Sequence, residues 1–350
     1  MRHSLRSSLL LLLSSPLSAL ATLPPSTIFT LPPPLLPGSW FENIAVRPNG
    51  KILATRGDAP EIWQIDPATG QGSLLISVAG AFNLTGIAPV TPLSPPPRPR
   101  HHNRPGTRDG PSAVPSPASV ETYIFASSHI PAPLQVTPGS AKVWTLRIPL
   151  TTAPATATLL AALPAAGFLN GITPWTAGRV LISDTEAEAI YLMDVSTGTY
   201  TTPLTGLVGV NGIRAVRAAT GTGGYVYRAD HASLTLSRIP VDAAAVATGP
   251  AEVLVQQQLI DDFAVMQGGD GAGKAYLGGM YTNEVVEIVF GAFGTGVGTR
   301  RVVATDLTGT GTGLVTVAAF GRRNSDAGFL YAAAGQGGGN AAIVRVDPGV

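Results

Sequence analysis

Residues 169–198 read LNGITPWTAGRVLISDTEAEAIYLMDVSTG, and this stretch decides the fold. A short apolar run opens after Asn170-Gly171. A second, RVLIS at 179–183, follows a tight break at Ala177-Gly178, and a third, AIYLMDV at 189–195, follows a polar loop. Short runs rich in β-branched and aromatic residues, cut by glycine and polar turns, are strands of an antiparallel meander. The phrase recurs five more times. Its opening runs are FENIAV at 41–46, LTGIAP at 84–89, VNGIRA at 210–215, IDDFAV at 260–265 and GTGLVTV at 311–317. Its second runs are KILAT at 51–55, TYIFAS at 122–127, GYVYR at 224–228, KAYLG at 274–278 and GFLYA at 328–332. A period of about 40–50 residues with four strands per unit is that of a β-propeller. The expected fold is all-β, with six blades of four antiparallel strands.

One interval, from Thr85 to Asn170, is about twice the others. It holds residues 91–117, with nine prolines and four arginines and no apolar periodicity, read as a disordered excursion within blade two. The last repeat has only three strands, while an orphan strand, STIFTL at 26–31, precedes the first. Pairing the orphan with residues 341–347 would complete blade six and hide a sheet edge. Residues 22–350 are therefore expected to form a single domain.

The first 21 residues have another purpose. Arg2, His3 and Arg6 precede the apolar run Leu9–Leu13, and Ala19-Leu20-Ala21 follows. That order of charge, apolar run and small-residue site is a secretory signal peptide, which makes the expected product secreted and without a membrane anchor. Asn83-Leu84-Thr85 is its one glycosylation sequon. The net charge is +1, and losing Arg2 and Arg6 leaves basic and acidic residues nearly equal. No whole-protein field is present to hold nucleic acid. With no cysteine, disulfides, thiolate metal sites and thiol nucleophiles are excluded.

Chemistry is expected where the repeats align. The position opening each inner strand is Glu42, Thr85, Asn170, Asn211, Asp261 and Thr312, and six such positions converge on the channel. Two carboxylates and two amides are oxygen donors of the kind a hard cation such as calcium takes. Thr85 and Thr312 are filler. Loops on the same rim add Arg56, Asp58, His129, Asp184, Asp230, His231 and Asn283, making a polar mouth for a small molecule. The bland alternative is that polar residues only satisfy strand ends, and a single Asn in an N-G turn fits it well. The segment Gly268–Lys274 imitates a phosphate loop, but Ala275 replaces the Ser/Thr, so it reads as a turn between strands. No G-x-S-x-G elbow or H-E-x-x-H pair is present.

At Glu42, Asn170, Asn211 and Asp261 the chain resembles the gluconolactonase/regucalcin superfamily of six-bladed, calcium-dependent propellers. The phrases FENIAVRPNG at 41–50, LNGI at 169–172, GVNGIR at 209–214, DDFAV at 261–265 and AAFGRRNSD at 318–326 resemble a secreted fungal branch of it, some of whose members are hetero-Diels–Alderases. The long insertion and the alanine- and threonine-rich strands depart from that branch.

Three readings follow. The branch resemblance favours a cyclase of secondary metabolism, joining a tropolone-derived quinone methide to a sesquiterpene alkene by positioning and hydrogen bonding. Its donors are Arg56, Asn170, Asn211 and His231, with Asp261 beside them. Its apolar walls are Trp40, Phe41, Phe168, Trp175 and Tyr281, and His129, Asp184 and Asn283 are further substrate contacts. This chemistry requires no cofactor and leaves calcium at most a structural part. The second reading is a calcium-dependent lactonase, with Glu42, Asn170 and Asn211 around the metal and Asp261 as base. The third is a propeller that only binds a ligand. Small-molecule substrates are the expected partners, and the oligomeric state is left open.

Overall fold

The computed structural model describes residues 24–32, 38–90, 120–131, 135–307, 309, 313–335 and 341–349, so the expected signal peptide at 1–21, the stretch 91–117 and Thr312 lie outside the described residues. Each apolar run named above falls within a strand, and in blades one to five a fourth strand follows each group of three. Blade one holds β2 (Phe41–Val46), β3 (Ile52–Arg56), β4 (Glu61–Asp66) and β5 (Gln71–Ser77), preceded by β1 (Ser26–Thr30). Blade two holds β6 (Asn83–Pro89), β7 (Val120–Ser128), β8 (Lys142–Pro149) and β9 (Thr156–Ala162). Blade three holds β10 (Leu169–Thr176), β11 (Arg179–Asp184), β12 (Ala189–Asp194) and β13 (Tyr200–Leu204). Blade four holds β14 (Val210–Arg217), β15 (Gly223–Asp230), β16 (Thr235–Asp242) and β17 (Glu252–Val255). Blade five holds β18 (Ile260–Gln267), β19 (Gly273–Gly279), β20 (Glu284–Phe290) and β21 (Thr299–Thr305). Blade six holds β22 (Leu314–Phe320), β23 (Leu330–Gly335) and β24 (Ala342–Val346), and β1 lies antiparallel on β24 with Ser26 opposite Arg345.

The chain is a six-bladed β-propeller of four-stranded antiparallel sheets. The strands read as unbroken apolar runs because both faces of each sheet are covered. Ile52 and Ala54 of β3 face blade six, while Leu53 between them faces blade two. Six apolar clusters result, one per blade interface. The outermost strands have solvent on one side, so β5 and β9 are largely exposed. The phosphate-loop lookalike is the turn between β18 and β19, held by Gly268 N–H donating to Ala272 O.

One irregularity repeats in every blade. The first two strands pair regularly until two residues of the inner strand face one of the second, a β-bulge. Between Leu169 and Ile172 the extra residues are Asn170-Gly171; between Val210 and Ile213 they are Asn211-Gly212; between Ile260 and Phe263 they are Asp261-Asp262. Blade two has Thr85-Gly86 there, and blades one and six show the same shift around Glu42 and Thr316. The N-G pairs, expected as turns, are thus bulges inside strands.

The bulges also join the blades. Thr85 Oγ1 donates to Leu169 O (2.8 Å), Thr316 Oγ1 to Phe41 O (2.7 Å) and Thr55 Oγ1 to Thr85 O (2.7 Å). Where no hydroxyl bridges, glycine permits contact. A Cβ on Gly212 would lie 2.5 Å from Asp261 O and 2.6 Å from Asp262 Oδ1. Gly212→Ala should therefore cost about 1–3 kcal/mol, as overpacking does. Urea unfolding measures this, and an unchanged midpoint would show that the blades slide apart freely.

Candidate functional site

The bulge brings Glu42, Asn211 and Asp261 together, and Asn170 holds the same register position in blade three. Asn170, Asn211 and Asp261 are almost wholly buried, and Glu42 is half-buried. Trp40 Nε1 donates to Glu42 Oε2 at 2.6 Å, which fixes the carboxylate and places Trp40 at the mouth. Asn211 hydrogen-bonds Asp261, and its Nδ2 lies 3.2 and 2.9 Å from Nδ1 and Nε2 of His231. His231 Nε2 is 2.6 Å from Ile260 O, so it carries the proton and ties blade four to the residue before Asp261. Asn211 Oδ1 is buried without a hydrogen-bond partner.

The electrostatics follow from crowding acids in a buried place. Burial pushes Glu42 up to about 7, against the lowering by the Trp40 N–H and with a further rise from Asp262. Burial raises Asp261 well above the usual carboxylate range, and Glu42 and Asp262 raise it further while Asn211 lowers it. His231 moves the other way: burial holds it below its ordinary value, so the ring is neutral near pH 7.

The floor beneath the mouth was not foreseen. Asp262, the second bulge residue, accepts from Asn43 Nδ2 of blade one at 2.6 Å and from Arg214 Nη1 of blade four at 2.9 Å. Blades one and five are not neighbours, so this contact crosses the channel. Strict alternation would turn Asp262 away from Asp261; the bulge lets both face inward. The doubled acid in IDDFAV was the available signal.

Other expected residues lie elsewhere or are already engaged. Arg56 is buried, with its guanidinium bound to Asp58, Glu61 and Ser39, and is no free donor. Asp184 accepts from the backbone of Gly167, Phe168 and Ala187 and from Tyr191, so it organises a loop. Asp230 caps Ala232 and Ser233 and pairs with Arg228. Phe41 is core between blades six and one. Trp175 sits near the far end of β10, packed in the interface with blade four, its indole donating to Ala243 O. Asn283 is buried in a turn and donates to Asp306. His129 lies against Phe82, with ring centroids 4.2 Å apart and the planes tilted by 32°. Phe168 is half-buried, and Tyr281 is 70% exposed after β19. In blade six the column position is filled by Thr316, which reaches Phe41 O.

Among the described residues no group of three His, Asp or Glu side chains gathers as a metal cluster would. The mouth instead offers two carboxylates and one amide oxygen. That donor set suits calcium, which takes oxygen ligands and completes its shell from water or substrate. The unpartnered Asn211 Oδ1 is the feature that a cation there would explain.

No protein-family profile matches the chain, and no curated protein sequence matches it. Its similarity is to solved structures. A luciferin-regenerating enzyme superposes with a TM-score of 0.58 at 11% identity, over 89% of this chain and 92% of that one. The calcium-binding protein regucalcin of Agrobacterium tumefaciens gives 0.53 at 17%, over 89% and 92%. A candidate gluconolactonase gives 0.52 at 12%, over 94% and 92%. The fold is shared with gluconolactonase- and regucalcin-like propellers. Identities this low carry the architecture, and the chemistry rests on the residues at the mouth.

Proposed function

We propose that this propeller is a divalent-cation-dependent hydrolase of small lactones or related esters. One observation carries the reading: Glu42, Asp261 and the unpartnered Asn211 Oδ1 share a buried mouth, three oxygen donors from three blades. A bound calcium-type cation would supply neutralisation of the two acids and polarisation of an ester carbonyl. The chain's own residues do the rest. Trp40 anchors Glu42, and His231 Nδ1 accepts from the Asn211 amide N–H and orients it. Asp261, once ionised, accepts the proton of an attacking water. Asn170, at the same register position in blade three, would donate to a substrate oxygen. The Asn43–Asp262–Arg214 floor closes the lower end, so substrate enters from the mouth side.

The cyclase reading finds less support. It needs apolar walls around two hydrocarbon-bearing partners, and Phe41 and Trp175 are spent in blade interfaces while Arg56 is neutralised. Trp40, Phe168 and Tyr281 remain for substrate contact. The test is turnover of a panel of aldonolactones and aromatic esters with calcium, with magnesium and with chelator. Hydrolysis restored by the cation supports the proposal. Hydrolysis indifferent to chelation, or none above background beside formation of a cycloadduct from a quinone methide and an alkene, overturns it.

A further inference from the structure

Away from the channel, blade four carries a cleft of about 410 Å³ on its outer half. Arg228 of β15, Ser237 of β16 and Val253 of β17 stand directly opposite one another across its floor, with Thr235, Gln256 and Gln257 around it. On this sheet face Val226 and Ile239 pack against blade three, and the cleft lies where the apolar contact gives way to polar residues. Among the described residues seven buried side-chain polar atoms make no hydrogen bond, and three of them are Arg228 Nε, Arg228 Nη1 and Ser237 Oγ. Buried donors are nearly always satisfied, so a concentration on one strand pair calls for an explanation. Arg228 Nη1 lies 3.3 Å from Asp230 Oδ2, an ion pair that offsets part of the charge, and the Arg228 side chain keeps 14% of its surface exposed. Asp230 spends its other oxygen on Ala232 and Ser233 N–H groups.

We propose that this cleft binds a small oxyanion, a carboxylate or a phosphoryl group, with Arg228 as the charged donor and Ser237 as a hydroxyl partner. The donor balance carries the assignment. Guanidinium N–H, serine and threonine hydroxyls and glutamine amides all offer hydrogens, and no carboxylate lines the cleft. Its volume lies in the range of small-molecule sites. The site is separate from the mouth, and it stands or falls independently of the hydrolase reading.

Calorimetric titration of the full chain with inorganic phosphate, sulfate, acetate and gluconate, at ionic strength matched with sodium chloride, tests the proposal. Saturable binding of at least one oxyanion is expected, and the strongest of the four identifies tetrahedral or carboxylate chemistry. Arg228→Met should weaken it at least about tenfold, the usual effect of losing a charged hydrogen bond, and Ser237→Ala should weaken it by a smaller factor. Circular dichroism confirms that each variant is folded; should Arg228→Met not fold, Ser237→Ala and Gln257→Ala carry the test. No oxyanion binding beyond that of chloride, or binding untouched by these substitutions, overturns the proposal.

Discussion

Asp261→Asn is expected to lower cation-dependent lactone turnover by about a thousandfold, mid-range for removal of a general base. The substitution keeps size and hydrogen-bonding ability, and the neighbouring bulge geometry depends on the backbone of Ile260–Phe263 more than on this side chain. Two losses combine. The amide cannot accept the proton of water, and the mouth offers a cation one carboxylate in place of two. Kinetics across calcium concentrations separate them. A loss in affinity alone is overcome by saturating calcium; a persistent fall in kcat is the loss of the base. Full kcat at saturating calcium would remove Asp261 from the chemistry, and with it the mechanism offered above.

The second large effect is on stability. In chelator the folded protein should lose stability as pH rises from about 4.5 to 7. Glu42 has an ordinary value of 4.5 and is held at about 7 in the fold, chiefly by burial. Between those values the unfolded chain has given up the proton and the folded one still holds it. The folded state binds more protons, so raising the pH favours unfolding, and the advantage is gone above the folded value. A shift of this size corresponds to roughly 3 kcal/mol. Asp261 is raised as well, so its effect has the same sign. Glu42→Gln should flatten much of the slope, because it keeps the Trp40 contact position without a charge to desolvate. Calcium should flatten it too, by replacing the proton as the partner of the acids. Urea midpoints measured across this pH range, with chelator and with calcium, check both statements. A chelated protein that becomes more stable through the window would contradict the burial of these acids.

Much of the architecture was legible in the chain because repetition is hard to hide. Six occurrences of a short apolar phrase set the blade count, and of the residues the same alignment singled out, Glu42, Asn211 and Asp261 lie together. Asp262, Asn43 and Arg214 were missed because reading by alternation assigns neighbouring residues to opposite faces, and a two-against-one bulge suspends that rule. The same bulge explains Thr316. The alignment chose Thr312 from the spacing of apolar letters, whereas the column is set by strand register. Arg56, Asp184 and Asp230 end their strands beside the bulges, yet they are engaged by Glu61, by Tyr191 and by the backbone N–H groups of Ala232 and Ser233. A linear sequence gives the position of a charge far more readily than the group that neutralises it. Trp175 and Phe41 show the converse. In strands covered on both faces, a large aromatic residue finds a blade interface before it finds a ligand.

The repeated bulge also sets how this molecule can change. At each of six stations around the axis the main chain presents a residue to the same small volume, and the strands' pairing beyond that point does not depend on which residue it is. Threonine occupies two stations and bridges to the next blade; asparagine and acids occupy the others. Exchanging one for another alters the charge and donor count of the mouth with little demand on the scaffold. Thr85→Asp would be such an exchange. A ring built this way can drift from one chemistry to another by single codons while remaining the same solid object, and distant relatives can share its outline after their sequences have ceased to resemble one another.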